Sequence, residues 1–392
     1  MKILFITTGS QATFYAVAPL ATAARNAGHQ VILAAHDPWM ETVEAIGVPT
    51  ICFTDQPIRH FMRTVEPGKA LRFPTELGDA EMVSQGRGFA RMSLAGLETL
   101  LELSKNWRPD LVVGSSVSYS AGLLAAHLGI PYVRQAEYLG PPTTGLDPGA
   151  EDELRPELER LGLSGLPQPA LFIDACPPSL RPAHDPPAQA VRWIPSNPQR
   201  RLEPWMWTRP EGRRRVLITS GFRSLMFRTP GWSMPELVAE LSKSGTEVLI
   251  AASPGAAERF GDQLGAARVG WIPIDTVAPT CDLAIHHGGG TTATTFMTHA
   301  VPQIIIPENP PEFPPNYHRY VIAEALTGSG AGYTLEPQKD FPDQNPGTVI
   351  ATTAQQILDT PHYAQAAQKL ANEINSLPTP ADLVHTLEDL AA

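Results

Sequence analysis

Cysteine is scarce: Cys52, Cys176 and Cys281 stand far apart in 392 residues, with no CxxC pair. Their number and spacing exclude a disulfide framework and argue against a cysteine-based metal site, leaving reduced, structural thiols. Long apolar runs are also missing. No stretch reaches the roughly 18 residues that a membrane-spanning helix requires. The opening MKILFITTGS lacks the basic start, longer apolar stretch and cleavage site of a signal peptide, so it reads as a buried strand and the expected compartment is the cytoplasm. Positive charge is in deficit. With 29 Lys and Arg against 40 Asp and Glu the net charge is −11, and such a field repels nucleic acid and anionic membranes, so neither is an expected partner. No Asp-x-Asp pair suggests a metal, and none is expected.

What the chain does have is the composition of a globular protein, 43% hydrophobic and 18% charged, with length enough for two domains. Its 40 prolines form no repeat tract and punctuate loops. The first half alternates strand and helix patterns. Residues 2–7, 30–35, 48–53, 110–113 and 132–135 read as strands, and 14–27, 88–105 and 118–128 as helices. Alternation of this kind implies a parallel sheet wrapped by helices, hence an α/β fold. Residues 54–86 keep no period, which suits a binding loop or lid. A helix over 151–161 and short strands at 171–175 and 190–194 lead to 195–213, rich in Pro, Trp and charge, which reads as an interdomain linker.

The alternation then restarts. Strands are predicted at 215–220, 247–252, 268–272, 282–286 and 303–306, and helices at 234–244, 254–264, 354–377 and 381–390. Within this half, the segment from Cys281 to Pro307 carries the most chemistry. An apolar strand ends in His286-His287-Gly288-Gly289-Gly290-Thr291-Thr292, which opens a helix. A helix start leaves unpaired N–H groups and a partial positive charge, so a phosphate group gains hydrogen bonds there. Thr291, Thr292, Thr294 and Thr295 add hydroxyls, and His287 can add a proton or a positive charge.

The passages Gly9-Ser10 to Gly28-His29, Trp107 to Leu111, Val269 to Pro273 and Cys281 to Pro302, in this order, resemble bacterial sugar-nucleotide glycosyltransferases. More narrowly, GSQATFYAVAPLATAARNAGHQV, IRHF, LRPELERLGL, LFIDACPPSLRP and LEPWMWTR are similar to enzymes that attach deoxysugars to aromatic polyketides of the angucycline type, notably the urdamycin C-glycosyltransferase and the landomycin olivosyltransferase.

The resemblance implies a GT-B architecture, two Rossmann-like βαβ domains facing across a cleft. Residues 1–200 would hold the acceptor, 214–375 the nucleotide sugar, and 376–392 a helix returning to the first domain. The donor would be a dTDP-deoxysugar, a substrate and not a cofactor. Ser220 and Gly221 would lie beside its diphosphate, Trp271, Ile272 and Pro273 against its base, and His287 through Thr292 around its phosphates. Ile58, Phe61 and Tyr138 would contact the acceptor. Oligomeric state stays open between monomer and homodimer.

Two departures from the family pattern bear on chemistry. Many O-glycosyltransferases of this kind carry a basic His shortly after the first strand, where this chain has Thr13. A hydroxyl is no base at neutral pH without a partner. Either Ser10 and Thr13 only position the acceptor, or a carboxylate takes the proton. Glu137 is the candidate, although relatives' acidic residue aligns with either Glu137 or Tyr138. A phenol, with its pKa near 10, asks little of a base. Glu137 could instead be spent in an ion pair with Arg134. The second departure is Glu308-Asn309-Pro310-Pro311-Glu312, where relatives that bind hydroxylated sugars have Asp-Gln. Loss of the Asp fits a sugar with fewer hydroxyls, such as the 2,6-dideoxysugar olivose, with Glu312 left to bind a remaining one.

Two rival readings remain. One is a non-catalytic homologue that supports a partner enzyme. The other, a nicotinamide oxidoreductase, is disfavoured because Gly9-Ser10-Gln11-Ala12 is not a GxGxxG.

Overall fold

A computed structural model describes residues 1–62, 79–137, 143–183, 185–219, 234–252, 258, 261–307 and 317–392. The chain divides into two compact units, residues 1–196 with 377–392, and residues 197–376. In the first unit β1 (Lys2–Ile6), β2 (Gln30–His36), β3 (Thr50–Thr54), β4 (Leu111–Ser115), β5 (Tyr132–Gln135), β6 (Leu171–Asp174) and β7 (Gln189–Ala190) form a parallel sheet ordered β3-β2-β1-β4-β5-β6-β7. Ile3, Leu4, Phe5 and Ile6 are all buried. Helices covering both faces of a parallel sheet explain why β1 reads as an unbroken apolar run instead of an alternating one. The strand order reverses direction between β1 and β4, and such a switch point leaves a crevice beyond the carboxyl ends of the strands.

The helix predicted over 88–105 begins earlier and spans Asp79–Asn106. Its first turns carry Gly86, where a Cβ would come within 1.9 Å of the Leu146 carbonyl. Gly149, on the helix Asp147–Arg160, meets the Val83 carbonyl in the same way. Close backbone approach replaced the apolar side chains that a periodicity reading depends on. The last helix, Pro380–Ala391, starts from a capping box in which Thr379 and Asp382 exchange hydrogen bonds. It buries Leu383, Val384 and Leu387 and packs on the helix Gln11–Asn26.

In the second unit β8 (Arg215–Thr219), β9 (Glu247–Ala251), β10 (Arg268–Gly270), β11 (Leu283–His286), β12 (Gln303–Ile305) and β13 (Gly332–Thr334) form a parallel sheet ordered β10-β9-β8-β11-β12-β13, switching between β8 and β11. The Arg215 side chain, 2% exposed, is met by Glu247, the Trp205 carbonyl and the Thr280 hydroxyl. Met206, read above as linker, belongs to this unit's core, and the half-buried Trp205 packs against it. The helix predicted over 354–377 is two helices, Pro346–Asp359 and Pro361–Ser376, because Pro361 has no N–H to continue the ladder. The helix Tyr317–Ser329 and β13 were not predicted; their polar and apolar residues follow neither period cleanly. Among the described residues no helix is long and apolar enough to cross a membrane, and all three cysteines are free.

Candidate active site

The glycine turn after β11 leads into the helix Gly290–Thr298, whose N-cap Gly289 offers no capping side chain. Among the described residues no side chain caps this helix, so its first-turn N–H groups are open to an acceptor. Below the turn lies His286, fully buried. Its Nδ1 accepts from the Gly288 N–H (3.1 Å), so Nε2 carries the proton and donates to Gln303 Oε1 (2.7 Å). Gln303 in turn donates to the Ala293 carbonyl (3.2 Å), tying turn, helix and β12 together. Burial holds the His286 pKa down to about 4, so the ring is neutral. Gly288 has φ +87°, and a Cβ there would lie 3.1 Å from Ile305 and from Arg319. Only glycine fits without strain.

Two expectations for this turn need correction. Gly288 does not offer its N–H to a ligand, since His286 takes it. His287 does not bring a positive charge. Burial first, then the Arg319 charge and His286, push its pKa well below the ordinary value, against a hydrogen bond to the Thr219 backbone. The ring is a neutral donor and acceptor, and its Nδ1 is buried without a hydrogen-bond partner among the described residues. The cation is Arg319, buried in the helix that follows. Sequence reading missed it because it lies beyond the motif. Thr291 and Thr292 are half-buried at the helix start, with the Thr292 hydroxyl on the Gly289 side, whereas the Thr294 hydroxyl donates back to the Gly290 carbonyl. Ser220, Gly221 and Glu312 lie outside the described residues.

Trp271 follows β10, half-buried, with its indole N–H on the Pro198 carbonyl (3.1 Å) and its own carbonyl receiving Arg200 (3.1 Å). Ile272 is a core side chain and Pro273 begins the short helix Ile274–Val277. Any ligand contact made by Ile272 would have to use its backbone.

At the switch point of the first unit, Ser10 is the N-cap of the helix Gln11–Asn26 and makes no side-chain cap bond. Thr13 is buried, its hydroxyl turned toward Gly9. The sequence reading overlooked His36, at the end of β2. Its Nδ1 lies 2.8 Å from the Asp37 carbonyl, so that nitrogen bears the proton and Nε2 accepts from the Gly9 N–H (3.2 Å). Burial lowers its pKa, and it lies between Phe14 and Phe53. It anchors the loop and is too enclosed to serve as a base.

Glu137 follows β5, half-buried. One carboxylate oxygen accepts from the Ser116 N–H (3.0 Å) and the other from the Ser116 hydroxyl (2.7 Å). Burial raises its pKa, and these bonds oppose the rise. Arg134, its suggested ion-pair partner, instead grips Asp147 through two nitrogens (2.9 and 2.8 Å), and Tyr119 donates to the same carboxylate (2.9 Å). Beside them Thr8, Ser115 and Ser118 link the ends of β1 and β4 through their hydroxyls. Ile58 and Phe61 form the short helix Ile58–Phe61, with Phe61 in the core and Ile58 packed against it. Tyr138 lies outside the described residues, as do residues 63–78 of the expected lid.

Two tandem parallel-sheet α/β units of this kind are the frame of GT-B glycosyltransferases, and solved glycosyltransferases match it along the whole chain. Residues 22–221 and 235–390 match the N- and C-terminal domain models of the erythromycin biosynthesis protein CIII-like family. The chain belongs to that family, the glycosyltransferases of antibiotic biosynthesis. It is 31% identical over 387 residues to the L-demethylnoviosyl transferase of Streptomyces niveus, covering 97% of this chain and 96% of that one. It is 26% identical over 430 residues to the 3-alpha-mycarosylerythronolide B desosaminyl transferase of Saccharopolyspora erythraea, covering 100% and 99%. Among solved structures, the Streptomyces sp. SF2575 glycosyltransferase SsfS6 complexed with thymidine diphosphate superposes with a TM-score of 0.82 at 30% identity, covering 99% of both chains. The spinosyn rhamnosyltransferase SpnG complexed with spinosyn aglycone gives 0.82 at 28%, covering 99% and 100%.

Proposed function

We propose that this glycosyltransferase moves a deoxysugar from a thymidine diphosphate sugar to a phenolic polyketide with inversion at the anomeric carbon. The observation that carries the donor half is the helix start at Gly290, where among the described residues no side chain caps the helix and His287 Nδ1 has no hydrogen-bond partner. A relative solved with thymidine diphosphate supports the nucleotide. The acceptor half rests on Glu137, a carboxylate whose burial raises its affinity for a proton. Ser10 and Thr13 line the same end of the sheet.

In the reaction the phenol O–H proton passes to Glu137, and the phenolate forms a bond to the anomeric carbon as the bond to the diphosphate oxygen breaks. The departing electron pair settles on the diphosphate. First-turn N–H groups, the Thr291 and Thr292 hydroxyls and neutral His287 meet that charge, with no metal or cofactor invoked. The phenolate can attack through oxygen or through the ortho ring carbon, so acceptor pose decides between an O- and a C-glycoside. The donor sugar is a 2,6-dideoxysugar such as D-olivose and the acceptor an angucycline aglycone, a reading that rests on the sequence motifs and the missing Asp after residue 307.

The test is turnover by the purified protein alone. With dTDP-olivose and an angucycline aglycone, a glycosylated product is expected, and its resistance or lability to acid distinguishes the linkage. Tighter and productive use of dTDP-glucose would defeat the dideoxysugar assignment. No turnover with any donor would favour the non-catalytic homologue.

A further inference from the structure

We propose that Ser116 is a positioning residue that clamps the Glu137 carboxylate for proton transfer, using its N–H and its hydroxyl on separate oxygens while its carbonyl is fixed by Arg134. This rests on the reading of Glu137 as the base. The Arg134 Nε donates to the Ser116 carbonyl at 2.8 Å, and the guanidinium is itself locked on Asp147, which Tyr119 also holds. Ser116 is 3% exposed, so the clamp has little solvent to compete with it. The carboxylate is thereby fixed in plane, and each oxygen keeps a further lone pair for an incoming proton.

The hydroxyl has a second acceptor. It lies 3.3 Å from the Gln135 carbonyl against 2.7 Å from Glu137. When Glu137 takes the acceptor's proton on a lone pair that Ser116 does not use, the Ser116 hydroxyl can keep donating to the now uncharged group or turn to the Gln135 carbonyl, so neither protonation state strands it. A simple point cation could not serve both protonation states in this way. The charged and titratable groups bearing on Glu137 among the described residues are Arg134, Asp147 behind it, and the Tyr132 phenol, whose pKa burial raises to about 12. The two Ser116 bonds lead the interactions that favour the ionised form, ahead of the Glu137 backbone N–H and the charge of Arg134, which is itself paired with Asp147.

The experiment compares kcat against pH for wild type, S116A, S116C, S116T and E137Q, with thymidine diphosphate affinity as the control for an intact fold. S116A and the nearly isosteric S116C should lower kcat about tenfold near pH 7 and move the acid limb to higher pH, the loss shrinking as pH rises. S116T, which keeps the hydroxyl, should recover most of the rate. Thymidine diphosphate affinity should not change. A profile for S116C and S116A that overlays wild type overturns the proposal, as does a pH-independent loss. E137Q separates the two readings: if it retains the rate and the acid limb, Glu137 is not the base. If it abolishes both while S116A and S116C behave as wild type, only the role of Ser116 fails.

Discussion

The two units solve one structural problem in the same way and then diverge in charge. Each must hold a glycine-containing loop beyond the carboxyl end of a central strand, and each uses a buried neutral histidine as hydrogen-bond acceptor. His36 on β2 takes the Gly9 N–H, and His286 on β11 takes the Gly288 N–H. Beyond that the first unit presents a clamped carboxylate among hydroxyls, and the second presents uncapped N–H groups with the buried cation Arg319 behind them. In the proposed reading the proton acceptor follows β5, one strand beyond its sheet's switch point, and the anion receiver follows β11, at the switch point itself. The shared frame carries the shape, and loop residues carry the chemistry.

The largest expected effect separates the units outright. Glu137→Gln should lower kcat by about 10² to 10⁴-fold, the range for loss of a general base, and leave thymidine diphosphate affinity unchanged because the bonds it alters are those to Ser116 in the first unit. Single-turnover kinetics with calorimetric titration of the nucleotide would check this, and near-wild-type rates would remove Glu137 as base.

Next come the two histidines, which test whether the anchors are equivalent. His286→Ala strands the Gly288 N–H and Gln303 in a buried site and leaves a cavity, a cost of about 3 kcal/mol in unfolding free energy. It should also weaken nucleotide binding. His36→Ala should cost about 2 kcal/mol on the same grounds, and it should raise the acceptor KM with nucleotide affinity intact. If both variants impaired both substrates alike, the assignment of one substrate to each unit would be wrong.

The same histidines set a pH dependence. His286 has a folded pKa of about 4 against an ordinary 6.5, so it stays neutral in the folded chain while it protonates in the unfolded one. Its stabilising contribution is complete above pH 6.5 and is lost as pH falls toward 4, roughly 3 kcal/mol for this group. His36 and His287, also lowered, act in the same direction. Denaturant titrations between pH 7.5 and 4 should show the decline, and His286→Ala should flatten it.

Much of the frame was legible in the sequence, since buried parallel strands announce themselves as apolar runs and the GGGTT turn as a helix start. The place of Glu137 just after β5 was legible too, while its role as base stays a proposal. The supporting residues were not. Ser116 sits in a GSSVS run whose serines look alike, and only the fold shows that Ser115 and Ser118 join β1 to β4 while Ser116 faces Glu137. His36 ends an apolar strand and reads as a core residue. Gly86 and Gly149 weaken a helical pattern by the close packing that makes the helix stable. What sequence cannot display is a partner chosen by tertiary approach.

Arg319 is the case where that limit changes the chemistry. With His287 neutral, the positive charge beside the proposed diphosphate site falls to Arg319, whose Cβ and carbonyl border Gly288 and whose charge helps keep His287 unprotonated. Removing the charge by Arg319→Gln should weaken thymidine diphosphate binding about tenfold, near 1.4 kcal/mol, the scale of one charge-assisted interaction. Arg319→Lys should lose less. The His287 pKa should rise in Arg319→Gln and still stay below its ordinary value, because burial is the larger cause, and imidazole resonances followed by NMR would report it. Equal affinity in wild type and Arg319→Gln would show that the N–H groups and hydroxyls of the helix start bind the diphosphate unaided, and the contrast between a carboxylate site in the first unit and a cation-backed site in the second would reduce to one of neutral donors against a carboxylate.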